Sequence, residues 1–314
     1  MLARQVRSGL TETIHDGAVA VVGADNELIA AYGDIDRPFF IRSAAKPFQA
    51  LVSQESGAGL EPLELAMACA SHRGFPVQVE LVRSVLERGG LHESALQCPP
   101  DWPLSPVASR LASETGLAGS PRRIWHNCSG KHAGFLRACV GAGWPIADYL
   151  DPGHPLQERL VDVVSELGDF AAGPVGVDGC GSPVLRTTAR AMATLYARLA
   201  TTPRLWEVFT AMHRYPALIG CNGEGDTEIA IATNCVAKGG AQGCIGVAVP
   251  GTGGIGVKSW DGLGSVANLG AAVALDQIGR LPNGPRAALE KVLRPPVMGG
   301  GREVGRLEPE FTLS

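Results

Sequence analysis

Gly17-Ala18-Val19-Ala20-Val21-Val22 is a short apolar run bounded by turn-forming residues, and its reading decides the fold. A run of this length, rich in β-branched valine, is strand-like. Asp25-Asn26 follows as a turn and Leu28 to Tyr32 is a second strand-like run, so a hairpin is predicted. Near the other end, Gly243 to Val249 and Gly256 to Trp260 repeat the signature across the turn-rich Pro250-Gly251-Thr252-Gly253-Gly254. Between the hairpins the pattern changes. Pro47 to Gln54, Pro62 to Ala70, Val77 to Arg88, Pro106 to Glu114, Ala133 to Gly143, Pro155 to Leu167 and Val184 to Ala200 favour helix. Several of these open with proline in the first turn, where a missing N–H costs little. A last helix is expected from about Ser265 to Ile278. Strands at both ends with helices between them predict an α+β fold. One antiparallel sheet is assembled from the N- and C-terminal strands, with an inserted helical subdomain, in a single unit over residues 1–314.

The 314 residues are 45% hydrophobic and 18% charged, enough for a large core. A net charge of −4 leaves no basic field for nucleic acid or anionic lipid, so the expected ligand is a small molecule. No apolar run is long enough to predict a membrane span. Met1 to Leu10 carries Arg4 and Arg7 and no apolar stretch, so it does not read as a secretory signal. The 8 cysteines are therefore expected as reduced thiols in a cytoplasmic protein. Cys69, Cys139 and Cys244 sit in apolar runs as small core residues.

Five segments carry chemistry-bearing residues. Ser43-Ala44-Ala45-Lys46 places a hydroxyl and an amine on one helical face at a predicted strand-to-helix junction. Helix-terminal N–H groups there can hold an oxyanion. Lysine is a base only when neutral, so its pKa must fall from about 10.4 through burial or a nearby cation such as Arg42. Ala70-Ser71-His72-Arg73-Gly74 reads equally as a site-facing loop or as a helix end capped by Ser71. Asn127-Cys128-Ser129-Gly130-Lys131-His132-Ala133-Gly134 is the least core-like stretch, and its glycines imply a backbone that approaches something closely. Gly176-Val177-Asp178-Gly179-Cys180-Gly181 is a tight turn. With Cys128 it offers two soft ligands and one hard ligand, although no Cys-x-x-Cys pair or paired histidine motif accompanies them. Lys258, in Gly254-Ile255-Gly256-Val257-Lys258, is either a solvated strand lysine or one that points into a cleft.

Taken in order, these segments resemble the type II, rhizobial-type L-asparaginase family, which is related in fold to serine β-lactamases and glutaminases. The resemblance runs from Arg7-Ser8-Gly9-Leu10 through Leu150-Asp151-Pro152-Gly153-His154-Pro155 to Arg294-Pro295-Pro296-Val297. Its most specific parts are Cys128-Ser129-Gly130-Lys131-His132 and Asp178-Gly179-Cys180-Gly181. It implies two catalytic pairs, Ser43 with Lys46 and Ser71 with Lys258, and a zinc ion held by Cys128, Lys131, Asp178 and Cys180. It further implies Arg42 and His132 near the substrate, and a homodimer. Two places depart from the family pattern. Ser71-His72-Arg73-Gly74-Phe75 stands where members commonly read Ser-His-Ser-Gly-Glu, and Glu224 stands ahead of Asp226-Thr227 where members often carry arginine.

The expected activity is hydrolysis of L-asparagine to L-aspartate and ammonia through an acyl-enzyme. Ser43 is the nucleophile, Lys46 the base, and Ser71 with Lys258 a relay. The departures at Phe75 and Glu224 motivate an alternative, an amidase acting on glutamine or another small amide. A third reading is a zinc- or amino-acid-binding protein that has lost catalysis.

Overall fold

The computed structural model describes residues 1–114 and 119–314. Five antiparallel strands form the central sheet, in the order Leu28–Tyr32, Gly17–Gly23, Gly253–Ser259, Cys244–Val249, Val236–Gly240. Gly17–Gly23 is buried along its whole length because both faces of the sheet are covered. Its side chains alternate accordingly. Val19 and Val21 join Val257, Leu269 and Val273 in the core beneath the helix Gly264–Gln277. Ala18, Ala20 and Val22 pack with Ala189, Ala193 and Ala197 of the helix Ala189–Thr201 on the other face.

That second helix lies unusually close to the sheet, and glycine makes the approach possible. A Cβ on Gly254 would stand 2.1 Å from Ala193 O, and one on Gly256 would stand 2.2 Å from Ala189 O. The helix begins at Thr188, whose Oγ1 accepts the Ala191 N–H at 3.0 Å. From the same helix Tyr196 passes over Gly246 and donates its hydroxyl to Ala44 O at 2.9 Å. The sheet is thereby tied to the turn that carries Ser43.

The inserted helices pack around Lys46–Glu55, whose residues from Lys46 to Ser53 are all buried. Pro62–Cys69, Pro76–Glu87, Ser129–Ala142 and Pro155–Gly168 belong to the same large core. Gly130 lets two of these helices meet, since a Cβ there would lie 2.4 Å from Met67 O. The close approach read from its glycines is thus, at Gly130, helix against helix.

A second sheet, ordered Pro296–Gly299, Arg302–Pro309, Ala3–Arg7, Leu10–His15, is not among the elements expected from the sequence. Its strands are polar and largely solvated. They pair the two ends of the chain, Ala3 opposite Pro309, which no local periodicity reveals. Residues 184–188, expected as the start of a helix, instead hold the end of the short strand Pro183–Val184 and the strand Arg186–Thr187. Among the described residues no helix is long and apolar enough to cross a membrane.

Candidate active site

A cleft of about 270 Å³ opens between the edge strand Val236–Gly240, the turn before Lys46–Glu55, and the loop after Pro62–Cys69. Ser43, Ser71, Arg73, Glu224, Asp226 and Lys238 line it. Residues Arg42–Ala45 form a 3-10 turn that runs directly into the helix at Lys46. At that pitch residues three apart stack, so Ser43 and Lys46 share one side, and the Lys46 N–H bonds Ser43 O. Arg42 adopts a left-handed φ of 52°, a strained conformation for a residue with a side chain, immediately before Ser43. The edge strand seals the other side of this turn. A Cβ on Gly240 would meet Cys244 Sγ at 2.6 Å and Ile41 O at 2.8 Å.

Lys46 is 1% exposed, and its Nζ donates to Ala70 O at 2.5 Å and to Ser71 Oγ at 3.0 Å. Burial, reinforced by the nearby Lys238 and Lys131 charges, holds it below the usual lysine range, although the Cys128 sulfur opposes the shift. Ser71 thus bonds the lysine side chain with its hydroxyl, while its backbone N–H reaches Ile219 O at 2.7 Å. The next residue fixes the loop. His72 Nε2 bonds Ser129 Oγ at 2.7 Å, and burial pulls its pKa down to about 3, so the ring is neutral.

Lys258 does not meet Ser71, which corrects the pairing expected from the sequence. It lies one strand behind the cleft, opposite Cys244. Its ammonium donates to the carbonyls of Gln242 and Ser259 and faces the Phe39 and Trp260 rings at 5.7 Å. The second lysine of the cleft is Lys238. Its Nζ lies 3.4 Å from Asp226 Oδ2 and donates to Gly239 O at 2.7 Å. Asp226 also accepts the N–H groups of Gly239 and Thr227, each at 2.8 Å. Burial works against this carboxylate, but Lys238 and those N–H groups hold it below its ordinary range. Lys238-Gly239-Gly240 carried a readable signal, a lysine closing an apolar strand before two glycines, the same kind of signal that drew attention to Lys258.

Behind the cleft, Cys128, Lys131 and Cys180 converge. Lys131 Nζ lies 3.0 Å from Cys180 Sγ and also donates to Ser182 Oγ. The Cys128 thiol and the Lys131 ammonium draw Cys180 below the usual thiol range, while the bond to Cys180 pushes Cys128 up. Burial opposes charge on Lys131, yet the two sulfurs raise its pKa. Asp178 is engaged elsewhere: Arg42 Nε stands 2.8 Å from its Oδ1, an ion pair not aligned as a hydrogen bond, and the Gly179 N–H bonds the same oxygen. Three of the four expected donors therefore converge, and these two thiols with an amine suit a soft cation. Among the described residues no group of three or more His, Cys, Asp and Glu side chains is set to hold a metal. Arg42 and His132, expected beside the substrate, do not line the cleft. Arg42 braces the Asp178 turn. His132 is fully buried, bonded to the Tyr149 hydroxyl through Nδ1 at 2.7 Å, and its ring also interacts with the Cys180 sulfur. All eight cysteines are free.

The profile of the L-asparaginase II family matches residues 3–309, which takes in every segment just described. The chain belongs to the L-asparaginase II family. Among solved structures, Mglu in its native form is similar with a TM-score of 0.44 and 19% identity, over 84% of this chain and 65% of that one. Mglu in its glutamate form gives 0.48 and 18%, over 87% and 64%. The probable glutaminase ybaS gives 0.46 and 18%, over 84% and 85%. The chain thus spans less than two thirds of the length of those two Mglu chains. No curated protein matches it.

Glu224, one of the two departures expected from the sequence, meets Arg73, two residues before the other, Phe75. Arg73 Nη2 stands 2.7 Å from Glu224 Oε1 at the rim of the cleft. Glu224 immediately precedes the helix Gly225–Ala232, and Asn268 crosses over the glycine between Glu224 and Asp226. A Cβ on Gly225 would lie 2.3 Å from Asn268 Nδ2.

Proposed function

We propose that this L-asparaginase II family member is an amidohydrolase that converts L-asparagine to L-aspartate and ammonia through an acyl-enzyme on Ser43. The observation that carries this reading is a buried lysine, Lys46, touching Ser71 Oγ in the cleft that Ser43 also lines.

Ser43 Oγ attacks the side-chain carboxamide carbon, and its proton passes to neutral Lys46. The N–H groups of Ser43 and Ala241, residues that both line the cleft, would stabilise the oxyanion. Lys46 returns the proton through Ser71 to the departing nitrogen, which leaves as ammonia. Water then enters and gives a proton to Lys46 as its oxygen adds to the acyl carbon, and Lys46 returns that proton to Ser43 Oγ as the ester opens to L-aspartate. The Asp226–Lys238 pair ties the edge strand to the helix Gly225–Ala232, and the Lys238 ammonium near Lys46 favours the neutral base.

Cys128, Lys131 and Cys180 are the residues that would hold zinc. A bound cation there would supply a fixed positive charge behind the substrate. A different small amide as substrate is a second reading, motivated by Glu224 at the rim of the cleft.

Ammonia release from asparagine, glutamine and other small amides, with and without a chelator, tests the proposal. Turnover of asparagine above the others is expected. Folded, zinc-loaded protein that releases ammonia from none of them would leave only a binding function.

A further inference from the structure

We propose that Arg73 and Glu224 read the two charges of the substrate's α-amino-acid headgroup, Arg73 taking the carboxylate and Glu224 the ammonium. This rests on the amide-hydrolase reading of the cleft and names its specificity determinants.

Two ion pairs line the cleft, and they differ in what they can give up. Lys238–Asp226 is buried, with side chains 2% and 11% exposed, and its groups are already bonded. Lys238 has Asp226 and Gly239 O, while Asp226 has two backbone N–H groups as well. Opening that pair would leave a buried charge uncompensated, which is expensive. Arg73–Glu224 is the opposite case, with side chains 28% and 45% exposed. An exposed pair of this kind contributes little to stability, so exchanging it for a ligand costs little. Arg73 also has donor capacity to spare, because its Nε is buried without a hydrogen-bond partner.

Position favours the same assignment. Arg73 lies two residues beyond Ser71 on a loop pinned by Gln78 Oε1, which accepts the Arg73 N–H at 3.0 Å. Glu224 stands at the start of the helix that carries Asp226. A zwitterion placed between them satisfies both charges and directs the rest of a small molecule inward, toward Ser43 and Ser71. A guanidinium recognises a carboxylate in a two-pronged geometry, and a carboxylate accepts readily from an ammonium. The pair therefore selects amides bearing both groups on one carbon.

The test is binding, measured by titration calorimetry on Ser43→Ala protein so that nothing turns over. The ligands are L-asparagine, succinamate, which lacks the ammonium, and 3-aminopropanamide, which lacks the carboxylate. Added Arg73→Ala is expected to weaken L-asparagine and succinamate about 10- to 100-fold and to leave 3-aminopropanamide no weaker. Added Glu224→Gln is expected to weaken L-asparagine and 3-aminopropanamide by a similar factor and to spare succinamate. The spared ligand in each case shows that the variant is folded. Equal effects on all three ligands, or none, would overturn the assignment. Ammonia release by the wild-type chain is scored separately. Selective binding without release would sink the proposed activity and leave the headgroup assignment standing.

Discussion

Lys46 Nζ lies 3.0 Å from Ser71 Oγ, although Ser43 is its neighbour along the chain. The amine thus reaches Ser71 across the helix packing, while Ser43 stands on the turn that leads into Lys46.

Replacing Lys46 by methionine keeps its volume and removes the base. A fall in kcat of about 10²- to 10⁴-fold is expected, with the fold retained. Residual activity near wild type would assign the base elsewhere.

The pH dependence follows from the same residue. Burial holds Lys46 below the ordinary lysine value, and the neutral form is the base. Activity therefore rises with pH through the lowered value and then levels. Stability shows the same sign. Between the folded-state value and the ordinary one the unfolded chain binds the proton and the native chain does not, so stability also rises with pH. Both slopes should be lost in Lys46→Met, as pH–rate profiles and urea titrations would show.

The two candidate lysines separate cleanly. Lys238→Met strands the buried Asp226 carboxylate and is expected to cost about 3–5 kcal/mol of stability along with most activity. Lys258→Met, behind the cleft, should leave kcat/KM close to wild type. A reversal of these two results in steady-state kinetics would restore Lys258 to the site.

Much of the fold was legible because the central strands and long helices carry their own periodicity. Pro62, Pro76 and Pro155 each stand in the first turn of a helix, and the valines of Gly17–Gly23 mark a strand buried on both faces. The second sheet was not legible, because Leu10–His15 is solvated and its partners lie at the far end of the chain. At the cleft, Ser43, Lys46 and Ser71 each stand in a local motif. Lys258 falls outside the cleft because the order of strands in the sheet decides which lysine lies at the edge, and that order depends on partners distant in sequence. The Arg73–Glu224 pair, 151 residues apart in sequence, appears only when the loop and helix are brought together.

Gly240→Ala probes the seal between edge strand and nucleophile turn. The added methyl meets Cys244 Sγ and Ile41 O, so the strand must shift away from Ser43. A displacement near 1 Å is expected to lower kcat about 100-fold with the fold retained. Gly284→Ala, where a Cβ meets nothing within 4 Å, is the control and should be neutral.

Metal content tests the cysteine cluster. Elemental analysis of protein purified with zinc is expected to give zinc in the wild type and much less in Cys180→Ser. Equal zinc in both would place the metal elsewhere.

The most direct test of the whole account is ammonia release from L-asparagine by the wild type, Ser43→Ala and Ser71→Ala side by side. The account predicts release by the wild type, none above background from Ser43→Ala, and a slowed residual rate from Ser71→Ala. Undiminished release by Ser43→Ala would contradict it.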